Sequence, residues 1–152
     1  MIGRISTVRQ YPDSYKALRV LSTVVREGAV DAGLDPLLVE LVKIRISQLN
    51  GCTLCLHMHS RKALKMGETR ERIAALPTWR EADNFGESER AALHLAESIT
   101  NISPGRINDQ DYAAACLSLT EDQISAVSWL AAVMNALNRV ALTSRYSLRD
   151  SK

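Results

Sequence analysis

Apolar positions along this chain recur at three- and four-residue intervals, and the punctuation between them is that of helices. In "YPDSYKALRVLSTVVREG" the residues Leu18, Leu21 and Val25 fall on one helical face, and Gly28 is a C-terminal stop signal. "DPLLVELVKIRISQLNG" opens with Asp35 as N-cap and Pro36 at the first helical position, and Gly51 closes it. "CTLCLHMHSRKALKMG" runs on to Gly67, and "ETRERIAAL" is a short helix stopped before Pro77. "ESERAALHLAESIT" is strongly helical up to the loop "NISPGR". "DQDYAAACLSL" follows, and in the last long segment Thr120 and Gln123 have the spacing of a capping box. No alternating β-branched run bounded by turns is present, and Asn50-Gly51 joins two helical stretches rather than two strands. The pattern predicts an all-α fold: one domain over residues 1–152, a bundle of about six to eight helices, with 147–152 as a loose tail. Trp129, Met134 and Cys116 read as core residues within apolar helices.

Composition narrows the function classes. With 46% apolar and 24% charged residues the chain reads as an ordinary globular domain, and two Trp, four Tyr and one Phe leave a core made mostly of aliphatic side chains. The net charge is +2 with basic and acidic residues interleaved, as in Arg70, Glu71 and Arg72, so no basic face for nucleic acid is expected. No uninterrupted apolar run approaches the roughly 20 residues of a membrane span. The N-terminus has positive charge but no apolar segment after it, which is not the pattern of a signal peptide. A cytoplasmic location is expected, where a Cys-x-x-Cys pair is catalytic or metal-binding rather than a permanent staple.

The chemistry concentrates in "NGCTLCLHMHSRKA". Two of the three cysteines and two of the three histidines lie between Cys52 and His59. On a helical wheel with Cys52 at zero, Cys55 lies at about −60°, His59 at about −20° and His57 at about 140°. Both thiols and His59 therefore share a face, and His57 stands apart. The first turn of a helix offers unpaired N–H groups and the positive end of the dipole, which lower a cysteine pKa. Three readings stand open at this point. A structural zinc site would need a fourth ligand, Cys116 or His94, from a distant helix. The cysteines could be buried without chemistry. Or they form a redox-active pair, in which case the absent βαβ context argues for an all-helical redox protein.

Glu40 precedes Cys52 with eleven residues between them, so the chain carries Glu-x11-Cys-x2-Cys-x3-His. An all-helical chain with this motif resembles the alkyl hydroperoxidase D-like (AhpD-like) proteins of the carboxymuconolactone decarboxylase superfamily. "KALKMGETRERIAAL", the Trp of "PTWREADNF", "ESERAALHLAESIT" and "NALNRVALT" are similar too, so the resemblance covers roughly residues 35–145. It implies a thiol-dependent hydroperoxidase. Cys55 would be the peroxidatic nucleophile, Cys52 the resolving partner in a disulfide, and His59 with Glu40 a proton relay. A hydroperoxide is the implied substrate, a thiol or lipoyl-type protein the implied reductant, and a homo-oligomer, trimer or hexamer, the implied assembly. No cofactor and no metal are implied. The cysteine pair is foreign to the decarboxylase branch. One position departs from the peroxidase pattern: the His that precedes the second cysteine in the best-characterised members is Leu54 here. A redox-sensing or disulfide-exchange module without peroxide turnover is the alternative. Lys43 and Arg45, close to the motif in sequence, could raise the thiolate content of the pair, and Asn138 and Arg139 are left without an assigned role, whether at the pocket or at a subunit interface.

Overall fold

The computed structural model describes residues 3–102 and 107–151, and among them every regular element is helical. The elements are α1 (Thr7–Gln10), α2 (Pro12–Asp31), α3 (Pro36–Asn50), α4 (Thr53–Lys65), α5 (Arg70–Ala75), α6 (Glu87–Thr100), α7 (Asp109–Cys116) and α8 (Glu121–Ser144). Short 3-10 turns occupy Leu76–Thr78 and Leu148–Ser151. The expected loop "NISPGR" falls largely on residues 103–106, outside the described part.

Helix α3 is the centre of the molecule. From Leu37 to Asn50 none of its residues is exposed, the charged Glu40, Lys43 and Arg45 included, so it has no solvent face, and it packs against α4, α6 and α8. Leu38, Leu41, Val42, Ile44 and Ile46 are buried in these contacts. Its ends are fixed as the sequence indicates. Asp35 accepts a hydrogen bond from the Leu37 N–H at 2.7 Å, and Gly51 takes the left-handed conformation, φ 68°. Helix α8 lies across α2, α3 and α6 and begins with the expected capping box, Thr120 Oγ1 accepting from Gln123 N–H and Gln123 Oε1 from Thr120 N–H. By length and composition α8 is apolar enough to cross a membrane, and here its apolar face, Ile124, Val127, Leu130, Ala131 and Met134, completes the core instead.

Four expectations change. Gly28 does not end α2, because a single glycine inside an otherwise good helix costs only about 1 kcal/mol; the helix runs to Asp31 and the chain turns at Gly33, φ 89°. Trp129 is 54% exposed, on the side of α8 turned towards α2, where it lines an apolar groove with Leu21, Val24 and Gly28. Cys116 is exposed at the end of α7, whose inward residue is its neighbour Ala115. The terminal segment, rather than trailing loosely, forms the Leu148–Ser151 turn in contact with α4.

Substituting Gly51 tests the joint between α3 and α4. A Cβ at this position would meet no neighbour, so the cost of Gly51→Ala is the backbone strain alone, about 1 kcal/mol. Urea unfolding should show that loss with an unchanged m-value; a neutral or stabilising result would contradict the left-handed joint.

Candidate functional site

The joint at Gly51 determines where the cysteines stand. The Gly51 N–H donates to Gln48 O and the Cys52 N–H to Ser47 O, closing α3 before α4 begins. Three hydrogen bonds among polar side chains clamp this end of α3 to α8. Asn50 Nδ2 donates to Asn138 Oδ1 at 2.9 Å and to Asn135 Oδ1 at 2.9 Å, and Asn138 Nδ2 donates to Ser47 Oγ at 3.3 Å. Asn138 is wholly buried, so it is a structural tie rather than a surface residue, and Arg139 turns outward onto Asn135. Cys52 is the N-cap of α4 with an extended backbone, and Cys55 sits in its first turn. The two form a disulfide with Cα atoms 5.4 Å apart.

Glu40 is 1% exposed, in the middle of the apolar helix α3. Its Oε2 accepts from His59 Nδ1 at 2.8 Å, and its Oε1 accepts from Lys62 Nζ at 2.7 Å and from Lys43 Nζ at 3.4 Å. Burial alone would raise the carboxyl. The His59 hydrogen bond, the Lys43 charge and the Lys62 hydrogen bond outweigh it and lower the pKa from an ordinary 4.5 to about 2. An ionised carboxylate can only accept, so Nδ1 of His59 carries the hydrogen and Nε2 is left as the acceptor. Burial lowers the His59 pKa below its usual 6.5 despite the bond to Glu40, with Lys43 and Lys62 adding to the fall. At neutral pH the imidazole is a neutral base with a fixed tautomer. Burial also lowers Lys43, against the pull of Glu40.

Cys55 and His59 line one small cleft that opens to solvent, and Cys52 does not. Leu54 and Met58 of α4, Leu137 of α8 and Tyr146 form apolar walls, and Tyr15 and Arg19 of α2 also line it. Leu54 is thus a wall where the peroxidase pattern has an imidazole. The geometry brings together Cys52, Cys55, His59 and Glu40, with Lys43 attached through Glu40. It leaves out His57, which opens into a separate groove with Arg61 and Lys65. Arg45 is also elsewhere: its Nε donates to Glu97 Oε1 at 2.6 Å, within a network that includes Trp79 Nε1. His94 is held between Arg80 and Asp111 on α6, and Cys116 is remote. Among the described residues no group of three or more His, Cys, Asp or Glu converges as a metal site. Lys62, Tyr15 and Arg19 are the residues that sequence reasoning missed. Lys62 stands three positions after His59 on the same face of α4 and was legible in principle; the approach of α2 was not.

The sequence profile of the Carboxymuconolactone decarboxylase family matches residues 12–98. The chain belongs to this family. An uncharacterised Bacillus subtilis (strain 168) protein, YdfG, is 33% identical over 142 residues, which are 93% of this chain and 94% of that one. Among solved structures, a protein of unknown function from Agrobacterium tumefaciens, for which the antioxidant defence role of AhpD has been suggested, superposes with a TM-score of 0.86 at 26% identity, covering 96% of this chain and 97% of that one. The debrominase Bmp8 shares the fold, with a TM-score of 0.79 at 20% identity, covering 93% of this chain and 74% of that one. This carboxymuconolactone decarboxylase family member therefore has the fold of an AhpD-like protein with its cysteine pair at the start of α4.

The buried charges make the stability of this family member pH-dependent. Glu40 titrates lower in the folded chain than unfolded, so its contribution is complete above pH 4.5 and is lost as the pH falls towards 2. His59 is held neutral, so stability also declines as the pH drops through 6.5, where the unfolded imidazole takes a proton. Glu40→Gln removes the first of these and leaves Lys43 buried without its carboxylate. It should cost about 3 kcal/mol at pH 7, and the gap from wild type should narrow between pH 4.5 and 2. Chemical unfolding as a function of pH measures both; a gap that stays constant would mean that Glu40 is not charged in the fold.

Proposed function

We propose that the protein is a thiol-dependent hydroperoxidase that works through Cys55 and Cys52. The observation that carries the reading is the pairing, in one small cleft, of Cys55 with an imidazole whose Nδ1 is tied to a buried carboxylate. In the reduced protein His59 Nε2 takes the Cys55 proton, and a helix N-terminus favours the resulting thiolate. The thiolate attacks the outer peroxide oxygen. An S–O bond forms, the O–O bond breaks, and the departing alkoxide takes the proton back from His59 to leave as an alcohol. Cys52, as a thiol, then attacks the sulfenic acid: the S–S bond forms, the S–O bond breaks, and water leaves. A thiol or lipoyl-type dithiol returns the pair to its reduced state by exchange. The cycle consumes one hydroperoxide and two thiols and yields an alcohol, water and a disulfide. Glu40 acts through His59, by fixing its tautomer and carrying the compensating charge. The oxidised Cys52–Cys55 pair supports the resolving step. A cytoplasmic setting and a trimeric or hexameric assembly belong to the same proposal.

One observation favours a second reading. Leu54 removes an imidazole from beside the nucleophile, which suits a pair that is oxidised once and exchanged, as in a redox sensor, better than rapid turnover.

Peroxide consumption in the presence of a dithiol, and separately a dihydrolipoyl reductant, distinguishes the two. Wild type should turn over many equivalents, and Cys55→Ser and Cys52→Ser should each abolish turnover. His59→Gln should lower kcat/KM by about a hundredfold, the usual scale of general-base loss. A wild type that oxidises to the disulfide once and then stops would support the sensor; thiols inert to peroxide would end both readings.

A further inference from the structure

Helix α2 contributes two polar groups to the cleft that the reaction above does not use. Tyr15 and Arg19, four positions apart and therefore on one face, both line it beside Cys55 and His59. Among the described residues neither the Tyr15 hydroxyl nor the Arg19 guanidinium has a hydrogen-bond or ion-pair partner. Arg19 is exposed and open to an incoming anion, whereas Arg45, Arg72 and Arg90 are already engaged, with Glu97, with Glu68 and Glu89, and with Phe85 O. No carboxylate lines the cleft to compensate Arg19. The nearest buried one, Glu40, is already saturated by His59, Lys62 and Lys43.

The position of α2 is built rather than incidental. Helix α1 is bolted to the end of α8, with the Thr7 N–H donating to Ser144 Oγ at 3.0 Å and the Ser6 and Tyr146 hydroxyls bonded at 2.6 Å. Tyr146 is swung back over α8 by Arg145, the one described non-glycine residue at positive φ. Helix α2 starts directly after α1, so these bonds hold its first two turns over the cleft, where Tyr15 and Arg19 stand.

We propose that the cleft selects a small organic hydroperoxide that carries a carboxylate. Arg19 binds the carboxylate by a charge-assisted hydrogen bond, and the Tyr15 hydroxyl donates to the same group. The carbon skeleton lies against Leu54, Met58 and Leu137, with the peroxide end at Cys55. The assignment rests on the hydroperoxidase reading for its reacting group, while the anion-binding pair stands independently of turnover.

Two measurements separate the claims. The first compares kcat/KM for 4-hydroperoxy-4-methylpentanoate with that for its methyl ester, in wild type, Arg19→Gln, Arg19→Lys and Tyr15→Phe. The acid-to-ester ratio should fall about tenfold in Arg19→Gln and a few-fold in Tyr15→Phe, and Arg19→Lys should keep part of it. The second follows alkylation of Cys55 by iodoacetate and by iodoacetamide in reduced Cys52→Ser protein, read by peptide mass spectrometry. The iodoacetate-to-iodoacetamide rate ratio should drop several-fold when Arg19→Gln is added. Ratios unaffected by Arg19→Gln in both assays would overturn the proposal and leave peroxide turnover standing. Loss of the alkylation preference in a protein that consumes no peroxide would uphold the anion site and end the hydroperoxidase reading instead.

Discussion

Everything at the site depends on one buried negative charge. Moving an isolated carboxylate into an apolar helix bundle is prohibitively costly unless it is neutralised or fully bonded. The protein takes the second course at Glu40, surrounding it with one imidazole and two ammonium groups from α3 and α4. The arrangement does more than satisfy the carboxylate. Because Glu40 lies on α3 and both His59 and Lys62 lie on α4, the charge locks the crossing of these helices. The same bonds that make the burial tolerable also set which nitrogen of His59 faces the cleft.

The second constraint is the way α3 stops. A left-handed glycine, followed at once by an N-cap cysteine, means that no loop intervenes between the central helix and the one that carries the cysteine pair. Cys52 is therefore positioned by backbone bonds to α3 and, through Ser47, Asn50 and Asn138, by α8. Buried polar networks of this kind are costly unless every member is satisfied, and here no buried side-chain nitrogen or oxygen among the described residues lacks a partner. The precision of the cysteine pair comes from rigid elements on both sides of a one-residue joint.

Local signals were legible where they depend on the residue itself. Asp35-Pro36 and Thr120 with Gln123 marked helix starts because caps act within one turn. The wheel separated His57 from His59 because side-chain direction on a helix is fixed by periodicity. Gly28 misled because it is punctuation only when the next residues cannot continue the helix, and "AVD" can. Trp129 and Cys116 misled because an apolar neighbourhood does not say which side of a helix is covered: Ala115 turns inward and Cys116 outward, one residue apart. Glu40 was placed only by the spaced motif, since nothing local distinguishes a buried acid from a surface one. The approach of Tyr15 and Arg19 to Cys55 required the tertiary path of α2, anchored through α1 to the far end of the chain.

The asymmetry of the two sulfurs has a consequence for electron delivery. Cys55 borders the opening and Cys52 is walled off behind it. In a thiol exchange the incoming sulfur must approach along the axis of the bond it breaks, so in the proposed cycle Cys55 would be the atom attacked and Cys52 the atom expelled, into the stabilising field of the helix start. Under the proposed cycle the pair would therefore be opened from the Cys55 side, and Cys52 would be the last sulfur to meet anything from outside.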